Sequence, residues 1–272
     1  MQHKTPDNPQ EWEDHIAVLI AQGHHLEEGA LSYHIKRALA FLPWLLAQQE
    51  RRVWFAGNGL SLAPLLFASF GCETWATDIA PSAIKMLNVL QNPRWTERMP
   101  SLKECLKPYH LPFPPHPPLL LYPRCQDFCQ QAPQEDLDLI LNFRALQCLS
   151  PAQQSQAIAV FFDALREGGR FIAELHHASP QQYADIDARL RDVGFRLPFS
   201  DAARWYQEAL QQHGLSPAFF SGLFFSADPA PSNPNSPSPQ HFDALRKQYQ
   251  QKRAEAQQQM DAPNHAKYAR LL

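Results

Sequence analysis

The sequence RRVWFAGNGLSLAPLLFASFGCETWATD, residues 51–78, decides the fold. Val53–Ala56 is a short apolar run between charged residues and a glycine, which is typical of a buried strand. Small and apolar residues from Ser61 to Ser69 predict a helix, with Ser61 as its cap. Thr74–Thr77 predicts a second strand, and Asp78 stands at its carboxyl end. The order strand, glycine turn, helix, strand and acid is that of a βαβ unit.

The two glycines and the acid of this unit predict a ligand. Gly57 and Gly59 allow a close approach of the backbone that a Cβ would block. Asp78 follows Gly57 by 21 residues, near the roughly 20-residue spacing at which an acid reaches a ribose hydroxyl. The pattern predicts a nucleoside ligand, and the alternative is an α/β domain whose first turn is merely tight. A dinucleotide fingerprint would place Gly or Ala where Leu62 stands, which disfavours a nicotinamide-dependent oxidoreductase.

Two segments, residues 50–80 and 119–177, resemble the class I S-adenosylmethionine-dependent methyltransferases. The first ends its strand in a Gly-x-Gly turn and its second strand in an acid for the ribose hydroxyls. The second contains a central strand, a helix and a Leu-x-x-Gly-Gly turn, which Leu165–Gly169 matches. Phe55 stands where that family usually carries an acid, and the aromatic first strand is similar to the thiopurine-methyltransferase-like branch.

The resemblance implies a Rossmann-like, doubly wound and mostly parallel α/β sheet of seven strands, preceded by helices and followed by a helical tail. Within it, the strands after the second one are predicted at 119–122, 138–143, 171–175, from 194 onward, and within 218–226. The predicted units are an N-terminal helical cap (1–50), a methyltransferase-like domain (51–226) with a Pro-rich insertion (92–118), a Pro/Ser linker (227–239) and a C-terminal helical tail (240–272).

The amino-acid composition limits the classes of partner that the protein is expected to bind. A net charge of −3 and a pI near 6.4 show no basic footprint for nucleic acid, so no nucleic-acid partner is expected. The polar start predicts no signal peptide, and no apolar run is long enough to span a membrane. Five sparse cysteines predict buried thiols rather than a metal site, which favours a reducing, cytoplasmic location.

The candidate site residues lie at predicted strand ends, which meet at one edge of a doubly wound sheet. The resemblance implies S-adenosylmethionine as cofactor, held by Phe55, Ala56, Gly57, Asn58, Gly59, Asp78, Ile79, Asp127, Phe128, Asn142 and Phe143. His176 and His177 are the candidate bases, because imidazole titrates near neutral pH; the alternative is a packed histidine. Arg144 is predicted either to bind an anionic substrate group or to pair with a surface acid.

The sequence therefore predicts methyl transfer to a small-molecule acceptor. Asn142-Phe143-Arg144-Ala145 does not match the Asn/Asp-Pro-Pro-Tyr/Phe motif of enzymes that methylate exocyclic base amines. The alternative is a catalytically silent protein of the same fold that binds a protein partner through its tail or its Pro-rich segment. Phe55 favours that alternative, whereas the glycine turn and Asp78 count against it.

Overall fold

A computed structural model describes residues 8–23, 35, 38–39, 41–46, 48–92, 102–107, 111, 120–175, 180–195 and 222–226. Six strands within them form one sheet: β1 (Arg52–Ala56), β2 (Glu73–Asp78), β3 (Leu121–Cys125), β4 (Leu137–Phe143), β5 (Leu165–Glu174) and β6 (Gly222–Ser226). The helices are α1 (Pro9–Ala21), α2 (Leu42–Leu46), α3 (Ala63–Ser69), α4 (Pro81–Leu90), α5 (Leu102–Leu106), α6 (Pro151–Ala164) and α7 (Pro180–Val193).

The strand order is β3-β2-β1-β4-β5-β6. The first five strands are parallel, and β6 runs antiparallel to β5. The chain order reverses between β1 and β4, which is the point where a doubly wound sheet opens a crevice at its carboxyl edge. The predicted Rossmann-like parallel sheet is confirmed. The seventh strand, predicted from Gly194 onward, extends into residues outside the described part of the chain.

The two faces of β1 pack into two separate hydrophobic layers, because alternate residues of a strand point to opposite faces. Phe55 packs edge-on against Phe67 of α3, with ring centroids 5.1 Å apart. Trp54 packs on the other face against Phe161 of α6 at 5.2 Å, and its indole Nε1 donates to the Thr77 hydroxyl at 2.8 Å. Both faces of β1 are therefore buried in the core.

Helix α1 adds a layer over this edge of the sheet. Asn8 caps it by accepting a hydrogen bond from the Glu11 backbone N–H at 3.0 Å, and Pro9 occupies its first position. Ile16 is buried with Ala80 and Ala83, at the start of α4. Helix α1 thus packs against the core through Ile16.

Strand β3 runs from Leu121 to Cys125, so the predicted strand over residues 119–122 was placed too early. Pro123 lies inside the strand and is paired with Ala76 of β2. The predicted strand ended at Tyr122, directly before Pro123, a residue that cannot donate a hydrogen bond within a sheet. A proline is tolerated here because, among the described strands, β3 has a neighbour on one side only.

The glycine pair after α6 has a different role from the predicted one. Helix α6 ends at Ala164, and β5 begins at once at Leu165, so Gly168 and Gly169 lie within the strand rather than between helix and strand. The pairing with β4 shifts register here, and a Cβ on Gly169 would lie 2.8 Å from the Leu137 carbonyl oxygen. The glycines permit this irregular close approach of two backbones.

The structure describes few residues of the other predicted units. Within the Pro-rich insertion, residues 102–106 form α5, and Leu102 and Leu106 are buried in the core. The rest of the insertion, apart from Asn92, Lys107 and Leu111, lies outside the described residues, as do the linker and the tail over residues 227–272.

A buried carboxylate joins the amino ends of three strands, and we expect its removal to destabilise the fold. Asp138 is 0% exposed, and it accepts from the Arg52 backbone N–H at 2.7 Å and from Arg166 Nε at 2.5 Å. Asp138→Ala should lower the free energy of unfolding by about 2–3 kcal/mol in urea titrations, because hydrogen bonds to a charged group are lost. Glu167→Ala, at an exposed neighbouring position, is the control. Equal stability of the two variants would contradict this role for Asp138.

Candidate functional site

A cavity of about 420 Å³ opens at the carboxyl edge of the sheet. It lies where the order of strands reverses, between the ends of β1 and β4, and the first residues of α1 form part of its wall. Its lining comprises Asn8, Pro9, Trp12, Ile16, Phe55–Ser61, Asp78, Ile79, Asp127–Cys129, Leu141, Phe143–Ala145, Gln147–Leu149 and Gln153. This volume is in the usual range of small-molecule sites, about 300–1,000 Å³.

The two glycines of the turn are needed for different reasons. Both have positive φ, 68° at Gly57 and 53° at Gly59. A Cβ on Gly57 would lie 2.4 Å from the Ala145 Cβ and 3.1 Å from Phe128 Cε1, so the packing of the protein itself requires a glycine there. A Cβ on Gly59 would have no atom within 4 Å. Gly59 therefore leaves open space beside the turn, which is where a ligand can approach the backbone.

Asn58 holds the turn in shape. Its backbone N–H donates to the Thr77 carbonyl at 2.9 Å, and its side-chain Nδ2 donates to the carbonyls of Gly59 and Ser61 at 3.2 and 3.1 Å. Its Oδ1 is buried and has no hydrogen-bond partner among the described residues. The amide thus fixes the path of the chain from β1 into α3.

Asp78 joins the glycine turn to the end of β2. One carboxylate oxygen accepts from the Gly59 backbone N–H at 2.7 Å, and the other accepts from the Ala80 backbone N–H at 2.9 Å. Each oxygen can accept a second hydrogen bond, which a ligand hydroxyl can donate. Burial raises the pKa of Asp78; the backbone N–H groups of Ala80, Gly59 and Ile79 oppose this, and the Glu13 carboxylate adds to it. A raised pKa in the folded state means that this group costs stability as the pH rises from about 4 through the raised value.

Asp127 and Phe128 follow β3 and form the next part of the wall. Asp127 Oδ1 accepts from the Cys129 backbone N–H at 2.8 Å, which fixes the loop. Phe128 is buried and stacks on Phe161, with ring centroids 5.7 Å apart. Ile79 lines the cavity between them and Asp78.

Asn142 lies beneath the site rather than in its lining. The side chain is 0% exposed; Nδ2 donates to the Ala56 carbonyl at 3.1 Å, and Oδ1 accepts from the Leu146 backbone N–H at 2.8 Å. It therefore ties the end of β4 to the end of β1. The adjacent residue Phe143 does line the cavity.

Arg144 lines the cavity and is paired with a buried acid. Its backbone has a positive φ of 67°, and its N–H donates to the Glu174 carbonyl at 2.9 Å. Its Nε lies 3.6 Å from Oε1 of Glu174, whose side chain is 1% exposed. Of the two roles left open by the sequence, an ion pair is thus observed, with a buried acid instead of a surface one. The Cys148 thiol, also in the lining, donates to the Arg144 carbonyl at 3.2 Å.

The candidate bases His176 and His177 lie outside the described residues, directly after Leu175. Sequence reasoning missed other lining residues: Asn8, Pro9, Gln147, Cys148 and Gln153. The helix start at Asn8-Pro9 and the position of 147–148 just after a central strand were signals available for finding them. In the described part of the chain, no group of three or more His, Cys, Asp or Glu could hold a metal ion. No helix among those residues has the length and apolar character to cross a membrane.

We expect substitution of the two glycines to affect stability unequally. Gly59→Ala should lower the free energy of unfolding by about 1–2 kcal/mol, the cost of an L-residue in the left-handed region. Gly57→Ala should cost about 1–3 kcal/mol more, because its Cβ clashes with Ala145. Urea denaturation of both variants measures the difference, and equal losses would contradict the packing described for Gly57.

This chain matches known proteins by its structure and not by its sequence. No family model and no curated protein matches the sequence. Solved structures do match. The 1,6-didemethyltoxoflavin-N1-methyltransferase of Burkholderia thailandensis, with bound 1,6-didemethyltoxoflavin and S-adenosylhomocysteine, superposes with a TM-score of 0.50 at 15% identity, over 83% of this chain and 92% of that one.

Two further structures match with TM-scores below 0.5. The putative methyltransferase complexed with the Trm112 methyltransferase activator of Haloferax volcanii gives 0.49 at 14% identity, over 85% of this chain and 100% of that one. A TehB-like SAM-dependent methyltransferase of Corynebacterium glutamicum gives 0.45 at 17% identity, over 70% and 84%. The chain thus has a Rossmann-like α/β fold similar to that of the Burkholderia enzyme.

Proposed function

We propose that the protein is an S-adenosylmethionine-dependent methyltransferase of class I that acts on a small-molecule acceptor in the cytoplasm. One observation carries the proposal: the turn from Gly57 to Gly59 is hydrogen-bonded to Asp78 at the mouth of a cavity, at the point where the strand order reverses. The Burkholderia enzyme of similar fold binds S-adenosylhomocysteine and a small-molecule acceptor. The free thiols of Cys72, Cys125, Cys129 and Cys148 are consistent with a reducing compartment.

The described residues fit such a cofactor. Asp78 has acceptor capacity left for ribose hydroxyls, and the space beside Gly59 admits the aminoacyl part of the molecule close to the backbone. Ile79, Asp127 and Phe128 line the part of the cavity that follows β2 and β3, and we assign the adenine to them. Asn58 fixes the turn through its own side chain, and Asn142 holds the Ala56 carbonyl just before it.

The cofactor, when bound, supplies a methyl group on a sulfonium: the acceptor's lone pair forms the new bond to carbon, and the S–C bond breaks to leave S-adenosylhomocysteine. The protein's part is to align the acceptor with that methyl group and to exclude water. Alignment of reacting atoms at about 3–3.5 Å can supply most of the acceleration. Trp12, Phe143 and Leu149 give the cavity apolar walls suited to this task.

We place the acceptor on the side of the cavity formed by the end of β4 and the segment after it. Arg144, Gln147 and Cys148 supply polar groups there. The ion pair with Glu174 fixes the Arg144 side chain, so it can orient an anionic or polar acceptor. An acceptor that carries a proton needs a base, and His176 or His177, which follow β5, are the proposed residues.

The alternative is a silent protein of the same fold that binds a protein partner through residues 240–272 or the Pro-rich insertion. Phe55 favours it, since this apolar side chain occupies the position of the usual acid and packs against Phe67 at the cavity wall. The domain boundaries given above are common to both proposals. Binding of the cofactor product separates them.

We expect S-adenosylhomocysteine to raise the melting temperature of the protein and NAD to leave it unchanged. With Phe55 replacing one contact, the remaining contacts should give an affinity in the micromolar range, about −8 kcal/mol. At one hundred times Kd, such binding stabilises the fold by about 2.7 kcal/mol. Differential scanning fluorimetry measures both ligands in parallel. An unchanged melting temperature at millimolar S-adenosylhomocysteine would contradict the enzyme proposal and favour the silent alternative.

Asp78→Asn should weaken S-adenosylmethionine binding by about 1.5–3 kcal/mol, the range for hydrogen bonds to a charged group. The amide keeps the size of the side chain but accepts with one atom instead of two. Calorimetric titration measures the effect, and Asp163→Asn, at an exposed position of α6, is the matched control. Unchanged affinity of Asp78→Asn would mean that the ribose assignment is wrong.

A further inference from the structure

Helix α1 forms a roof over the cavity. Asn8, Pro9, Trp12 and Ile16 line it from this helix, while the opposite wall belongs to the sheet and its loops. Ile16 packs against Ala80 and Ala83, so the roof rests on the first turn of α4. Leu19 and Ile20 of the same helix pack against this cluster, and a polar contact lies beside it.

The polar contact joins Glu13 of α1 to Ser82 of α4, 69 residues later in the chain. One Glu13 carboxylate oxygen accepts from the Ser82 backbone N–H at 2.9 Å, and the other accepts from the Ser82 hydroxyl. Ser82 follows Pro81 at the start of α4, so its N–H is among those that have no partner within the helix. The carboxylate is therefore bound by two donors and by the positive end of a helix dipole.

The contact between Glu13 and Ser82 also lies close to Asp78, which lines the cavity. Ala80, whose N–H binds the Asp78 carboxylate, stands two residues before Ser82. The charge of Glu13 contributes to the raised pKa of Asp78, which places the two carboxylates within electrostatic reach of each other. The roof and the ribose-binding acid assigned above are thus attached to the same helix start.

We propose that Glu13 is a positioning residue: its bond to Ser82 holds α1 over the cavity, and the opening of this bond controls how fast a bound ligand leaves. The attachment itself does not depend on the identity of the ligand. The control of ligand release rests on the function proposed above. The two parts are measured separately.

The test compares four single variants and one double variant of the full chain. Glu13→Ala removes both bonds, Ser82→Ala removes one, and Glu13→Gln keeps an acceptor of the same size as a conservative rescue. Asp14→Ala is the matched control, since Asp14 is the next residue of α1, carries the same charge and is exposed, bonded only to Gln10 among the described residues. A double-mutant cycle of Glu13→Ala and Ser82→Ala isolates the pairwise contribution.

The first readout needs no ligand. Cys148 lines the cavity and is half-buried, whereas Cys72 is buried elsewhere and is not part of the lining. Alkylation of each thiol by iodoacetamide, followed by mass spectrometry, should show Cys148 reacting about tenfold faster in Glu13→Ala, with Cys72 unchanged. Hydrogen exchange of residues 9–21 should accelerate by a similar factor, since a bond to a charged group is lost.

The second readout is the dissociation rate of S-adenosylhomocysteine, measured by stopped-flow competition. We expect it to rise about tenfold in Glu13→Ala, to rise less in Glu13→Gln, and to stay at the parental value in Asp14→Ala. Unchanged alkylation of Cys148 and unchanged exchange of residues 9–21 would overturn the attachment. Loosening of α1 with an unchanged dissociation rate would overturn the control of release. If the parent does not bind S-adenosylhomocysteine, the proposed function fails along with the control of release, and the ligand-free readouts still decide whether Glu13 holds α1.

Discussion

The structure of the site depends on the Asp78 carboxylate. Two backbone N–H groups from different segments, those of Gly59 and Ala80, converge on its two oxygens at 2.7 and 2.9 Å. A single side chain thereby fixes the turn after β1, the end of β2 and the start of α4. Because the group is buried, the loss of either bond would leave a polar atom unsatisfied, which costs about 1–3 kcal/mol. This cost holds the three segments together at the mouth of the cavity.

Burial and hydrogen bonding act on this carboxyl group in opposite directions. Desolvation raises its pKa and the backbone donors lower it, with desolvation the larger effect. The charged form is accordingly more weakly favoured than in water, and a ligand that donates hydroxyl groups to it would strengthen that form. Phe55, one of the cavity-lining residues, contributes no second carboxylate. The proposed cofactor site therefore relies on Asp78 and the glycine turn.

Much of the fold could be predicted from the sequence because its signals were local. The apolar run of β1, the turn with Gly57 and Gly59, and the acid after β2 each have a pattern of their own, and the structure has all three. The errors have a common cause in tertiary context. Pro123 is tolerated in β3 because this strand has a described neighbour on one side only, and Gly169 serves a close approach to β4 rather than the end of a helix. Neither the one-sided pairing of β3 nor the approach of Gly169 to β4 can be recognised from a local sequence pattern.

The site could be predicted in part for a similar reason. The ends of parallel strands meet at one edge, so Gly59, Asp78 and Phe128 could be assigned to one cavity from their order in the chain. The roles of Asn142 and Glu174 depend on partners that are distant in sequence. Asn142 turned out to hold the end of β1, and Glu174 to pair with Arg144. Contacts of this kind require the three-dimensional structure.

The most direct test of the central claim is an amide NMR titration of the protein with S-adenosylhomocysteine. We expect the resonances of Gly59 and Ala80 to shift most strongly, since their N–H groups bind the carboxylate that is proposed to receive the ribose. Amides on the far side of the sheet, such as that of Leu137, should keep their positions. Shifts confined to another part of the protein, or no shifts at saturating ligand, would contradict the claim that this cavity is a nucleoside site.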